Sequence, residues 1–389
     1  MKKLLCIVSL FYQFNASAQE SVFFTNEHNK TFELDKFGVS VYNANFIKND
    51  EYFNNIADGL TILGTHLHPE FIYNSANKTQ FKAGVFLIKN FGENNINFAI
   101  PTFSFNYIKN NSQLTIGNLF AKNNHNLIEP LMASEKILSN EVIETGIEYK
   151  YDSNKLNFDA WLNWENYIRK YSEVREVFTM GMTSKLSVLK HLSIPIQYVY
   201  YHRGGQINKK YRSENNLDNT MNFHNLAMGL EYATHPNLNK GFTFGYNYLY
   251  HITNTEIEYP FKTGRAHYAT LTYKINHLQF LLAYYNADKF TTAKGNEMFQ
   301  SYSLKSNINY WNGELDNRYV GLEEPNRSLL FTKVFYQNDI ANNIKLGFQV
   351  EGYYQLNNNG TVNYLLSNKK NQFDYSYGVF LILNDILKL

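Results

Sequence analysis

A single cysteine, Cys6, occurs in the chain, and it lies in the first segment. That segment has the order of a secretory leader: Lys2 and Lys3, an apolar run from Leu4 to Tyr12, then Ala16-Ser17-Ala18 as a small-residue cleavage site. Cleavage there removes Cys6. A chain beginning at Gln19 has no disulfide, no thiol and no cysteine metal site. Apolar residues continue after Cys6, which argues against a lipid-acceptor cysteine. Without the disulfides on which small secreted domains lean, stability must come from a large hydrogen-bonded framework.

Other absences narrow the class further. Net charge is only +2, so no nucleic-acid footprint is visible. After the leader no run of about eighteen apolar residues exists, so no membrane-spanning helix is available. There is no G-x-S-x-G, no phosphate loop, and no spacing that assembles Ser, His and Asp. A barrel-embedded hydrolase would need Ser, His and Asn or Asp on its outer wall, and the sequence does not group them there. No enzymatic activity and no cofactor are therefore expected.

What the chain has in abundance is aromatic residues: 31 Tyr and 30 Phe. Its mean hydropathy is nevertheless negative. Gly241 to His251 shows how both can hold. Phe242, Phe244, Tyr246, Tyr248 and Tyr250 share one face, while Thr243, Gly245 and Asn247 share the other. This period of two suits a strand with lipid on one side and water on the other. The pattern recurs from Leu60 to Leu383, with a weaker first candidate at Phe37 to Phe46. Short turns (110–112, 152–154, 189–191, 235–240, 276–277, 338–343) alternate with longer polar loops (121–139, 203–222, 252–263, 289–297, 357–371). Outer-membrane barrels have short periplasmic turns and long outer loops.

The expected fold is all-β, a transmembrane antiparallel up-and-down β-barrel of 16–18 strands, with 18 favoured. The higher number includes the weak first candidate and its ambiguous partner, the lower leaves them out, and both count Met298 to Trp311 and Asp316 to Leu322 as strands. Pro69 is expected at a bulge or a strand edge. The expected organisation is a signal peptide (1–18), a periplasmic lead-in (19–35) and one barrel domain (36–389). A propeller or solenoid would show a fixed-period repeat, and none is present.

The polar strand faces are assigned to the lumen. Their channel-lining candidates are Glu70, Glu144, Glu148, Lys150, Asp159, Glu165, Lys185, Glu231, Lys305, Lys345 and Glu351. Two readings follow: a hydrated pore whose charges select solutes, or a barrel plugged by acid–base pairs. Loop 121–139 is too apolar to be freely solvated, with Leu127, Ile128, Leu131, Met132 and Leu138. It either folds inward as a constriction, presenting Glu129 and Glu135, or packs on the rim or on a partner protein. Arg203, Lys209, Lys210 and Arg212 form a basic outer-loop cluster suited to an acidic glycan or lipopolysaccharide phosphate. His66, His68 and Glu70 share a face, but no ligand on a second strand is visible and no metal is expected. Trp164 fits an interface belt; Trp161 points inward, where it could stack on a sugar ring.

Four segments resemble uncharacterised outer-membrane β-barrels of Bacteroidota. They are Ala57-Asp58-Gly59, Leu127-Ile128-Glu129-Pro130-Leu131, Asp159-Ala160-Trp161 and His202-Arg203-Gly204-Gly205-Gln206. The resemblance covers most of residues 50 to 383 and implies a cell outer membrane location and a porin-like barrel. It supplies no substrate and no site residues. The expected function is passive diffusion of small hydrophilic solutes; the alternative is a non-conducting accessory barrel of a larger outer-membrane assembly. Expected partners are the lipid bilayer, lipopolysaccharide, and either other outer-membrane proteins or further copies of the chain.

Overall fold

The structure is a computed structural model that describes residues 36–54, 56–75, 78–120, 125–170, 174–204, 220–236, 240–254, 259–303, 308–309, 314–315, 323–357 and 373–388. The leader and lead-in expected over residues 1–35 lie outside them.

Sixteen strands among the described residues close into one antiparallel barrel. In chain order they are β1 Lys36–Glu51, β2 Thr61–Ser75, β3 Thr79–Asn90, β4 Phe98–Lys109, β5 Ser112–Phe120, β6 Ile143–Asp152, β7 Leu156–Asn166 and β8 Val177–Leu189. They continue as β9 Leu192–Arg203, β10 Met221–Ala233, β11 Lys240–Thr253, β12 Thr263–Ile275, β13 Leu278–Asp288, β14 Asn326–Ala341, β15 Ile344–Gln355 and β16 Phe373–Lys388. Each strand pairs with its neighbours in sequence, and β1 closes on β16 from Gly38↔Lys388 to Glu51↔Tyr375. Asn110, Asn276 and Asn343 take positive φ in the short turns, a conformation asparagine tolerates and tight hairpins require.

The barrel therefore has 16 strands and not 18. The weak first candidate is a full strand, paired on both sides. The two strands expected over 298–311 and 316–322 do not enter the wall. Met298 and Phe299 are both buried in the barrel interior. Ile308–Asn309 and Glu314–Leu315 form a separate two-stranded piece. Residues 316–322 lie outside the described residues. Interior loops meet protein on several sides, so their apolar residues can mimic a strand pattern without a ladder. Pro69 is neither at an edge nor at a bulge. It sits within β2, where the β3 ladder skips from Leu67↔Leu87 to Glu70↔Gly84 without a change of register.

The outward face is apolar along most of its height. Phe242, Phe244, Tyr246 and Tyr248 of β11 are exposed, followed around the wall by Phe280, Leu282, Tyr284, Val334, Phe348 and Val350. Inside lies a hydrophobic core that a simple pore would lack. Leu127, Leu131, Met132, Phe290, Met298 and Phe299, all from loops, pack against the wall residues Trp161, Tyr268, Tyr285, Phe331 and Tyr353. The loop between β5 and β6 and the one after β13 thus fold inward. They are joined by Ala133 N donating to Lys294 O (2.8 Å) and Asn296 N donating to Glu129 O (3.0 Å).

Candidate functional site

Two polar regions have enough geometry to carry a function. The first is the lumen plug. His125 and Asn126 enter it with φ of 50° and 61°. For a histidine that backbone costs about 1–3 kcal/mol and needs support from its surroundings. The wall supplies it. Thr183 Oγ1 donates to His125 O (2.8 Å), and Ile128 N donates to Gln197 Oε1 (3.1 Å). The imidazole stacks on Trp161, with centroids 3.9 Å apart and planes 2° from parallel. Gly181, directly opposite Trp161 in the ladder, makes room for the indole; a Cβ there would meet its ring at 2.3 Å.

Around the imidazole stand Glu144 (2.8 Å), Asp159 (3.2 Å) and Glu148 (3.3 Å). Lys136 and Lys150 complete the network at 2.6 Å from Glu144 and 2.7 Å from Glu148. Burial by itself would lower the pKa of His125, but Glu144 and Asp159 outweigh it and push the group up to about 10. The ring is therefore an imidazolium at neutral pH, bonded on both nitrogens. Ligand atoms of His125, Glu148 and Asp159 lie within 4.8 Å of one another, a spacing that could hold a metal ion. Lys150, however, already places positive charge against both carboxylates.

Most of the expected lumen residues come together as pairs and not as a row along a path. Glu144, Glu148, Lys150 and Asp159 meet around His125. Lys185 pairs with Glu231, Glu165 with Lys294, and Glu351 with Lys333. Glu70 accepts from Ser40 Oγ and lies 3.5 Å from His68. Lys345 is half-buried on the inner face. Glu129 and Glu135 are inside, as one reading of the loop had it, but neither presents a free carboxylate to a path. Glu129 accepts from Ser134 N and Asn296 Nδ2, and burial raises its pKa against the pull of Lys333. Glu135 pairs with Lys48; burial dominates and pushes its carboxyl up to about 7. Trp161 points inward, but its ring is taken by His125, not free for a sugar. Lys305, Lys209, Lys210 and Arg212 lie outside the described residues, and Arg203 reaches Met221 Sδ (4.0 Å). His125, Lys48, Lys333 and Lys294 escaped the sequence reading: His125 and Lys294 sit in loops with no periodicity, while Lys48 and Lys333 share strand faces with apolar residues.

The second region is on the outward face, at the long-loop ends of β7 to β10. Trp164, Phe178, His202 and Asn222 are successive cross-strand neighbours. Trp164 stacks on Phe178 (5.2 Å), and Phe178 lies 4.8 Å from the His202 ring. Asn222 Oδ1 accepts from Tyr200 Oη (2.6 Å) and from His202 Nδ1 (2.7 Å). A Glu176 carboxylate oxygen stands 3.9 Å from His202 Nε2. Tyr198 bonds His224 (2.8 Å), and further round Tyr246 bonds His267 (2.7 Å). Trp164 is outward, as an interface belt requires. No sequence spacing announced this cluster, because the β9–β10 register, not proximity in sequence, joins His202 to Asn222.

The model of the Lipid A 3'-O-deacylase-type family matches residues 29–389. No match was found among curated proteins. Among solved structures, OccK5 (OpdH) of Pseudomonas aeruginosa is 12% identical with a TM-score of 0.51, covering 92% of this chain and 99% of that one. OccAB1 of Acinetobacter baumannii is 9% identical with a TM-score of 0.50, covering 93% of this chain and all of that one. At such identities the likeness speaks for the fold alone: this is an outer-membrane β-barrel in contact with the lipid bilayer. The expectation of a protein without enzymatic activity is overturned by the family match, since a deacylase is an enzyme.

Proposed function

Because the chain belongs to the Lipid A 3'-O-deacylase-type family, we propose that it is an outer-membrane hydrolase that removes an ester-linked acyl chain from an outer-leaflet lipid of the lipid A class. The observation that carries this reading is the extent of the match, which runs from residue 29 through the whole barrel to residue 389. The chemistry sets a condition on the site. An acyl chain lies in the hydrocarbon layer and its ester lies near the headgroups, so the reacting groups must face outward near one rim. Ester hydrolysis also needs a positioned base and a stabiliser for the developing oxyanion. Bonded histidines, phenols and an amide on the outward face support the reading. The test is purified protein in vesicles containing lipid A, with released hydroxy fatty acid read by mass spectrometry. Loss of one acyl chain per lipid is expected; no release by folded protein overturns the reading.

Passive diffusion of small hydrophilic solutes is the second reading, and strand number favours it. Sixteen strands enclose enough space for a channel unless a loop fills it. The apolar plug argues for a lumen closed at rest, in line with the non-conducting alternative. Conductance in a planar bilayer separates the two. Absence of openings, both in the intact protein and after deletion of residues 126–138, rules out diffusion.

A further inference from the structure

We propose that the outward face of β1 is a self-association surface, on which Asn43 and Asn45 pair the barrel with a second copy of this chain inside the membrane. Such pairing is independent of the deacylase reading. Tyr42, Ala44, Phe46 and Lys48 of β1 are buried inside the barrel, so Val41, Asn43, Asn45 and Ile47 face outward. Phe37 stacks on Tyr73 at the short-turn end of the strand (4.7 Å), and Asn49 stands opposite Tyr377 at the long-loop end. Aromatic rings of this kind mark the two edges of the lipid-facing band. Asn43 is midway between Phe37 and Asn49. At about 3.3 Å per residue and a tilt of about 40°, it lies about 15 Å from either edge, with Asn45 about 5 Å nearer the long loops.

The surroundings of the two amides are apolar. Leu383 and Leu381 of β16 stand opposite Asn43 and Asn45, and Leu67 of β2 stands opposite Asn43 on the other side. Ile47, Leu67, Phe71 and Leu381 are exposed on this face. By contrast Asn49, Asn118, Asn222 and Asn286 of the outer wall stand at strand ends, where water and headgroups reach. Asn43 Nδ2 donates to Thr65 Oγ1 (3.0 Å) and to His66 O (2.8 Å), and Asn43 Oδ1 accepts from Asn45 Nδ2 (2.7 Å). A carboxamide has two N–H donors and one acceptor oxygen. Asn43 therefore uses both donors, whereas among the described residues Asn45 makes this one bond only. Its second N–H and its oxygen remain. Lipid offers them neither an acceptor nor a donor, and an unmatched polar group there is costly.

A second Asn45 supplies both. Two carboxamides exchange N–H···O bonds reciprocally, each giving what the other needs. Copies inserted the same way in one membrane are related by an axis along its normal, so a given residue lies at one depth in both. A different protein would need a polar group set at that depth by its own sequence; a copy has one of necessity. The relief of the wall favours the same contact. Between Phe37 and Asn49 the outer side of β1 carries no aromatic ring, whereas β11 carries Phe242, Phe244, Tyr246 and Tyr248. Short side chains on a convex wall let two backbones approach closely. Leu67, Phe71 and Leu381 then close around the amides and exclude lipid, an apolar ring about a polar centre.

The experiment is disulfide cross-linking of the full-length chain in isolated outer membranes, in a C6S background. N45C is expected to give a dimer of twice the chain mass on non-reducing gels after mild oxidation. M228C, on the exposed face of β10 across the barrel, is expected to give none. No dimer from N45C overturns the proposal, as does an equally strong band from M228C, which marks random collision. An N45C adduct with another protein alone assigns the face to a foreign partner and also overturns it. Sedimentation equilibrium in density-matched detergent supplies the second measurement. The wild type is expected as a dimer, and N45L is expected to dimerise about tenfold more weakly, the worth of two hydrogen bonds inside a membrane. A wild type that sediments as a monomer, or a folded N45L of unchanged affinity, overturns the pairing. If N45L does not fold, judged by heat-modifiable gel mobility, the wild-type mass and the N45C cross-link decide.

Discussion

The two faces of the barrel wall exclude water by different means, and their chemistry differs accordingly. On the outer face lipid takes the place of water, and the side chains there are mostly Phe, Tyr, Leu and Val. The ion pair of Arg265 with Asp288 on this face stands at the long-loop rim. On the inner face the plug takes the place of water, and charge is kept but paired: Lys333 with Glu351, and His125 with three carboxylates. Lipid offers no hydrogen-bond partner, so charge is expelled from that face. A protein plug can offer partners, so charge survives there wherever its geometry is complete.

The sharpest way to break this contrast is His125→Ala. It leaves Glu144, Glu148 and Asp159 buried with only Lys136 and Lys150 to answer them. Removing one partner from such a network costs about 3–5 kcal/mol. Native-state proteolysis should then cut between residues 125 and 142, where the wild type resists; equal resistance would mean that the apolar contacts alone hold the plug. Next in size is Leu282→Lys on the lipid face, expected to cost about 2–4 kcal/mol near the bilayer midplane in urea titrations from vesicles. A cost near zero would mean that the face is covered by protein and not lipid.

A pH titration probes the same plug more gently. The pKa of His125 is raised from the usual histidine value of 6.5 to about 10. Its stabilising contribution is complete below pH 6.5 and is lost as pH rises through about 10. Trp161 fluorescence should change over that window and remain flat in His125→Ala; a transition at acid pH instead would reverse the sign and refute the network. The smallest effect is expected for Arg265→Ala, whose side chain is 61% exposed. An exposed pair of that kind is worth about 1 kcal/mol or less, measured by the same urea titration.

The comparison also shows what could be read in advance. The alternation in Gly241 to His251 was legible because each residue meets one of two media, and the wall places Phe242 outside and Asn247 inside as the pattern required. The plug was half legible. Leu127, Leu131 and Met132 were too apolar for solvent, but nothing in their order says which surface covers them. Met298 and Phe299 misled for the same reason and added one strand, and the up-down order then required another at Asp316 to Leu322. Glu144, Glu148 and Asp159 were visible as inward acids, whereas His125, their centre, sits in a loop without period.

The sequence by itself determined the class of the protein: a closed wall of alternating strands in the outer membrane, because lipid and interior impose a period of two on every strand that separates them. Only the tertiary structure decided what fills the lumen and which polar groups meet. The plug depends on loops folding back across strands far from them in sequence. The pair His202 and Asn222 depends on a register that brings residues twenty positions apart into contact. Register is a property of paired strands, and no single strand carries it.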